Sequence, residues 1–414
     1  MENKKFLVGE RIFMLDCARK YFTPKWIKRL IDDISEVGYN VLNLHFSEDI
    51  AHRLESKKFP WLAGGDHTLC VFGNEYGEAQ NDKKIITQDE MRDIVLHARA
   101  RGMQVIPSLD SPGHMTYAVK RYMEEYGVDI GNYFHKHGKV ALVCTGGENT
   151  DGEKKRYSRG IDISNPTAVE FAKALYCEYG EFFRELGCTA FDIGGDELLG
   201  WGDDGSIDKS VPKWCNLDHW QEYAQRLTGN PDAVAYDAFL IYMNDIATLL
   251  YSLGYESLRM WNDDVYRRSD TCWREAVELD KRIDIQFWSP HTSGGENTAQ
   301  FYLDRGHNLY NFARPYTYYT LYPSGRKPSY VTPEAIIKEW DPYLFAADGS
   351  ECDTDGNTYI FPPFKEGNRI AAPNARVKGA GFCLWCDTPA AESEDELLEN
   401  LRPYYTALIK KCKA

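Results

Sequence analysis

Nowhere is the chain apolar for long enough to cross a membrane. A span of about 18 or more consecutive apolar residues would be needed, and none occurs. The opening residues MENKKFLVGERIFMLD hold no apolar segment of secretory-signal length. Positive charge is also scarce: 48 Lys and Arg stand against 63 Asp and Glu, a formal charge of −15. That balance disfavours nucleic acid and anionic membranes as partners. No Ser/Gly/Pro linker and no shift of composition divides the chain, so one domain is expected over residues 1–414. The 11 cysteines are scattered and odd in number, which fits a reducing cytoplasm, by expectation bacterial, better than a disulfide framework. Cys383 and Cys386 in CLWC have redox-motif spacing. Without a second Cys or His pair, and in an alternating apolar setting, they read as strand residues.

Short apolar runs rich in β-branched and aromatic residues do recur, starting with RIFMLDC, YNVLNLHF, MQVIPSLD and CTAFDIGG. The second half adds ESLRMWND, RIDIQFW, HNLYNFA and VKGAGFCLW. Between them lie segments with apolar residues at three- and four-residue steps, such as PKWIKRLIDDISEVG, TQDEMRDIVLHARARG and NPTAVEFAKALYCEYGEFFRELG. YDAFLIYMNDIATLLYSLG, TPEAIIKEWDPYLF and DELLENLRPYYTALIKK follow. Strands alternating with helices specify a parallel sheet. An open doubly wound sheet would place a Gly-rich GxGxxG turn after the first strand, and none is there. The expected fold is therefore α/β, a single (β/α)8 TIM barrel with long loops after the second, third, fourth and seventh strands. DGSECDTDGNTY, residues 348–359, looks like a calcium loop only until its glycines are placed. They are wrong for an EF-hand, and a hairpin is expected.

Function in such barrels collects where strands end on the C-terminal face. Polar residues stand at nearly every such end: Arg19; His45 with Glu48 and Asp49; Asp110 and His114; Asp196 and Glu197; Asn262, Asp263 and Asp264; Tyr316; Asp387. The sharpest signal is FDIGGDELLGW, residues 191–201, where two acids follow two glycines at a strand end. A helix start that favours negative charge would explain the pair alone, but not the whole constellation. Paired carboxylates suggest glycoside chemistry. Neighbours in sequence, however, are badly placed to flank a glycosidic bond from opposite faces. A better division has Glu197 protonating the leaving oxygen while Asp196 supports a 2-acetamido group of the substrate. That group's carbonyl oxygen then attacks the anomeric carbon, giving an oxazolinium ion. Gly194 and Gly195 would clear side chains where the sugar approaches the backbone. A barrel that binds such sugars without turnover, and a two-carboxylate retaining glycosidase of other specificity, are the alternatives.

IGGDE resembles the signature of glycoside hydrolase family 20, the β-N-acetylhexosaminidases and lacto-N-biosidase-like enzymes. The likeness runs along nearly the whole chain. MLDCARKYFTPKWIKRLIDDISEVGYNVLNLHFSED resembles the family's first strand, helix and second strand. IPSLDSPGH resembles its third-strand motif, and RGIDISNPTAVEFAKALYCEYGEFF the segment before the DE strand. By this resemblance Arg19 and Asp387 hold outer hydroxyls of a terminal β-linked N-acetylhexosamine, GlcNAc or GalNAc. Trp261, Trp288 and Trp385 wall its acetamido pocket, with His114 and Asp263 also expected at the sugar. Tyr316, with Tyr318 next and Tyr319 behind, is expected to hold the acetamido carbonyl. No metal or organic cofactor is implied, and the partner is a small glycan.

The chain departs from the family pattern in three places. Asp192 stands where the family often has His, and strand parity points it inward beneath the acids. Asp387 replaces the usual Glu. The extra α/β domain that often precedes the barrel is not expected, because the chain opens at the first strand. Working near neutral pH would require Glu197 to hold its proton above its ordinary range. Enclosure by Trp rings, Asp196 and Asp192 is expected to push it up.

Overall fold

A computed structural model of the chain describes residues 6–70, 74–136, 139–142, 157–198, 217–266, 276–288, 297–324, 328–329, 331–346, 351–353, 358–360 and 364–414. Parallel strands close on themselves in chain order: β1 (Glu10–Asp16), β2 (Val41–His45), β3 (Gln104–Ser111), β4 (Ala190–Gly194), β5 (Ser257–Trp261), β6 (Ile283–Phe287), β7 (Leu309–Asn311) and β8 (Val377–Trp385). The seam pairs β8 with β1, from Gly379 opposite Glu10 to Leu384 opposite Leu15. These are the runs read from the sequence, and the fold is the expected (β/α)8 barrel. Helices α1 (Pro24–Val37), α2 (Gln88–Ala100), α3 (Thr116–Tyr126), α4 (Pro166–Glu185) and α5 (Asp218–Thr228) fill the first half. Helices α6 (Ala235–Ser252), α7 (Ala299–Asp304), α8 (Pro333–Glu339) and α9 (Glu394–Lys411) complete the ring. Between β5 and β6 no helix occurs among the described residues. No helix among them is long and apolar enough to cross a membrane.

Local chemistry explains the helix limits. The Thr23 side chain accepts from the Trp26 N–H, Pro24 opens α1, and Trp26, Ile27, Leu30, Ile31 and Ile34 form its buried stripe. Capping boxes start α2 (Thr87 with Glu90) and α9 (Ser393 with Glu396). Three helices are additions to the sequence reading: α3, α5 and α7. α3 and α5 lie in the excursions after β3 and β4, and α5 buries only Trp220 and Ala224, a stripe too thin to stand out.

Alternation along the strands sorts the core into two parts. On β4, Phe191 and Ile193 pack outward against the helices. Ala190 packs inward with Ile12, Met14, Val41, Ile106 and Cys383. Asp192 also points inward, as parity predicts, and accepts from Asn43 Nδ2 at 2.8 Å. Nearer the N-terminal end, Arg259 is buried, donates to Glu10 Oε2 at 2.7 Å and lies over the Tyr310 ring at 3.9 Å. The hairpin expected near residue 350 is present as Glu351–Asp353 paired antiparallel with Thr358–Ile360. The rest of that stretch (348–350 and 354–357), and Trp201 after the DE pair, lie outside the described residues.

Candidate active site

β1 ends on Asp16, and this one carboxylate organises the first wall of a cleft. Its Oδ1 accepts from the main-chain N–H of Ala18 (3.2 Å) and Arg19 (2.9 Å). Its Oδ2 takes Arg19 Nη1 at 2.9 Å and the N–H of Cys386 at 3.0 Å. Thus oriented, Arg19 reaches Glu48 Oε1 at 2.5 Å and Asp387 Oδ1 at 3.7 Å. Burial pushes the Asp387 carboxyl up to about 6; Arg19 opposes this, while Asp16 and Glu48 add to it.

The DE turn sits at the end of β4 on a seat made by the residues after β5. The Glu197 N–H donates to Asp263 Oδ2, and the Leu198 N–H to Asp264 Oδ2, both at 2.9 Å. These bonds hold Glu197 at φ +41°, a left-handed conformation that few side chains adopt unaided. Asp263 Oδ1 accepts from the Trp288 indole at 2.8 Å. Asp263, expected at the sugar, is therefore buried behind the wall, because both of its oxygens are committed to building the site. The glycine expectation also needs correcting. A Cβ on Gly194 would sit 2.8 Å from Asp110 Cα, and one on Gly195 2.9 Å from Met260 Cε. At φ +66° and +87°, these glycines serve close packing of the barrel rather than approach of a ligand.

Behind the acids lies a dense set of charges. His114 Nδ1 is 3.0 Å from Glu48 Oε2. Its Nε2 stands between the two acids, 3.5 Å from Asp196 Oδ2 and 3.6 Å from Glu197 Oε2. Arg159, on the approach to α4, donates from Nε to Asp49 Oδ2 at 2.7 Å and from Nη2 to Glu197 Oε2 at 3.0 Å. His45 lies 3.5 Å from both Glu48 Oε1 and Asp110 Oδ2. Burial alone would lower it, but Asp110, Glu48 and Asp16 carry it up to about 9. Donor atoms of His45, Glu48 and Asp110, and of Glu48, Asp49 and His114, lie close enough to hold an ion. Glu48, common to both groups, already faces Arg19 and His114, and we read them as ion-pair networks.

These charges reverse one expectation. Burial pushes Asp196 up to about 6, helped by Glu197 and Glu48 and opposed by His114 and His45. Burial also raises Glu197, but Arg159, His114 and Arg314 outweigh it and hold this carboxyl below its ordinary value. The expectation of a raised Glu197 fails because it took no account of Arg159. Asp192 lies one layer below the acids, where strand parity puts it, bonded to Asn43 and to the Gly194 N–H at 3.2 Å.

Aromatic rings close the cleft. Trp288 stacks on Tyr318 with centroids 6.2 Å apart and planes 10° from parallel. Trp385 stands 5.9 Å from Tyr318 and 6.0 Å from Trp261. The tyrosine choice changes. A short strand, Tyr318–Thr320, pairs with the upper end of β8, Tyr318 opposite Cys383 and Thr320 opposite Trp385. That register turns Tyr318 and Thr320 into the cleft and sends the Tyr319 hydroxyl to Glu392 at 2.8 Å. Tyr316 precedes the strand, is buried outside the cleft, and donates to Glu339 Oε2 at 3.2 Å. Of the other expected residues, Arg19, His114, Asp196, Glu197 and Asp387 line the cleft with the three tryptophans. Glu48, Arg314, Thr320 and Tyr322 join them. The last three, and Arg159 behind the acids, were not singled out in the sequence.

The profile of the glycosyl hydrolase family 20 catalytic domain matches residues 10–400. A lacto-N-biosidase of Bifidobacterium bifidum is 24% identical over 397 residues, covering 95% of this chain and 27% of that protein. β-Hexosaminidase subunit A2 of Dictyostelium discoideum is 24% identical over 305 residues, covering 71% of this chain and 45% of that protein. The chain thus spans less than half the length of these curated relatives. Among solved structures, dispersin B superposes with a TM-score of 0.64 at 22% identity, covering 98% of this chain and 99% of that one, a likeness of fold. With the match running from the first residue of β1 into α9, the chain belongs to glycosyl hydrolase family 20.

Proposed function

We propose that the chain is a retaining exo-β-N-acetylhexosaminidase that removes terminal β-linked GlcNAc or GalNAc from small glycans through an oxazolinium intermediate. One observation carries this reading: Asp196 and Glu197 stand at 3.5 and 3.6 Å from the same imidazole nitrogen of His114. They share one side of the cleft and cannot flank a glycosidic bond as nucleophile and acid from opposite faces. In the first step Glu197 gives a proton to the leaving oxygen while the acetamido oxygen attacks the anomeric carbon. Asp196 faces the acetamido N–H and stabilises the positive charge that develops. In the second step Glu197 takes a proton from the water that opens the ring. The rings of Trp261, Trp288 and Trp385 enclose the acetamido group, and the Tyr318 hydroxyl is the donor we assign to its carbonyl. Arg19 and Asp387 hold outer hydroxyls.

Replacing Glu197 with Gln should lower hydrolysis of an aryl N-acetylglucosaminide by roughly 10²–10⁴. The wild type should leave the matching aryl glucoside untouched. Full activity of the variant, or equal turnover of the glucoside, would sink the proposal. A second reading, release of a larger unit such as a disaccharide, is favoured by one observation. The lacto-N-biosidase match covers 95% of this chain. Product analysis on oligosaccharides ending in either unit separates the two.

A further inference from the structure

Arg159 touches the acid/base at two points. Besides the side-chain bond to Oε2, its Nη1 lies 3.4 Å from the Glu197 carbonyl oxygen. The guanidinium is buried, braced on Asp49 through Nε, and its Nη2 packs 2.8 Å from His114 Nε2. It comes from the loop before α4, not from a strand end. We propose that Arg159 is a positioning residue for Glu197, clamping the carboxylate in its ionised form and so favouring the base it must be in the second step over the acid it must be in the first.

This rests on the acid/base reading of Glu197 given above. A charge-assisted bond at this distance stabilises the carboxylate, not the carboxylic acid. His114 and Arg314 act on Glu197 in the same sense as Arg159, and burial acts against them. The nearby carboxyls push the other way: Asp196 is the adjacent residue, Asp263 holds the Glu197 N–H, and Asp387 interacts with it electrostatically. Glu48 also faces His114. Arg159 donates a hydrogen bond to the carboxylate itself. Asp49 keeps that cation in place, its own carboxyl lowered to about 2, where Arg159 and His114 outweigh burial. Removing Arg159 leaves burial and the acids to drive Glu197 upward.

The test is the pH dependence of kcat/KM for Arg159→Met, with Glu197→Gln alongside. An opposite charge at this range moves a carboxyl by roughly 1–3 pH units, so the alkaline limb should rise by about one unit or more in Arg159→Met. Glycosides with poor leaving groups, which need the acid most, should gain relative to activated aryl glycosides. Arg159→Lys, which keeps the charge, should leave the limb near its wild-type position. It also supplies the comparison, with Arg159→Gln, if the Met variant does not fold. A merely structural Arg159 would lower activity uniformly at all pH values and for all leaving groups. A folded Met or Gln variant whose limb stays put or falls would overturn the proposal. If Glu197→Gln kept wild-type activity, the acid/base reading itself would fall.

Discussion

Arginines are buried at both ends of this barrel, and they live in opposite circumstances. At the N-terminal end Arg259 meets Glu10 and the face of Tyr310, while Asp284 is held by Ser257 and Asn308. There one guanidinium meets two carboxyls, Glu10 directly and Asp284 at longer range, and its Nε and Nη1 lack hydrogen-bond partners among the described residues. At the C-terminal end Arg19 and Arg159, with His45 and His114, face a larger number of carboxyls. Some of those acids are held down, as Asp49 is to about 2, while Asp196 and Asp387 are pushed up to about 6. The Arg259–Glu10 pair lies away from the cleft and bears on the fold. The excess of acids in the cleft splits its carboxyls: Asp196 and Asp387 hold protons toward neutral pH, while Glu197, despite burial, is held below its ordinary value by Arg159 and His114.

Three measurements sharpen the contrast. Arg259→Met should be the most damaging to stability, because it strands Glu10 and removes the ring contact. Breaking a buried pair costs about 3–5 kcal/mol, and the low end is expected since Glu10 remains partly exposed. Urea unfolding should show the loss, while activity per folded molecule stays at the wild-type level. A loss of catalysis without a loss of stability would erase the distinction between the two ends.

Asp387→Asn should act in the opposite sense. The folded value of about 6 lies above the ordinary 3.8, so this group's contribution to stability is complete below about pH 4. It disappears as the pH rises through 6, because the fold then holds an ionised acid it disfavours. The Asn variant is therefore expected to be more stable than wild type at pH 7.5, by about 1–3 kcal/mol, with the difference vanishing near pH 4. Paired melting curves at the two pH values check it; equal differences at both would refute the assignment. The smallest effect separates two tyrosines. Tyr318→Phe removes one hydrogen bond in the cleft and should lower kcat/KM about tenfold. Tyr316→Phe, whose hydroxyl meets Glu339, should change it less than about twofold.

The strands were legible because each is a short apolar run with a polar residue at its end, and barrel closure needs little else. Trp261, Trp288 and Trp385 could be placed in the cleft only by the family resemblance, and they do line it. What depended on register could not be read. Tyr316 and Tyr318 share a parity, and only the pairing of residues 318–320 with the top of β8 decides which of them enters the cleft. Asp263 looked like a ligand because it is polar and at a strand end, but the backbone of Glu197 claims it first. Arg159 was visible in RGIDISNP, yet a single arginine in a loop has no periodicity, and its partners Asp49 and Glu197 lie far away in sequence. Missing it reversed the expected protonation of Glu197.

The seam between β8 and β1 also governs when the cleft can form. Lys20 Nζ donates to the carbonyl oxygen of Pro389 at 2.6 Å, across a sequence separation of 369 residues. The Trp26 indole reaches the Glu394 carbonyl oxygen at 2.7 Å. Arg19 and Asp387 meet only across that seam, so this wall of the cleft waits on the eighth strand. A chain folded only as far as β4 therefore carries Asp196 and Glu197 without the wall that Arg19 and Asp387 build. The cleft is complete only when the eighth strand finds the first.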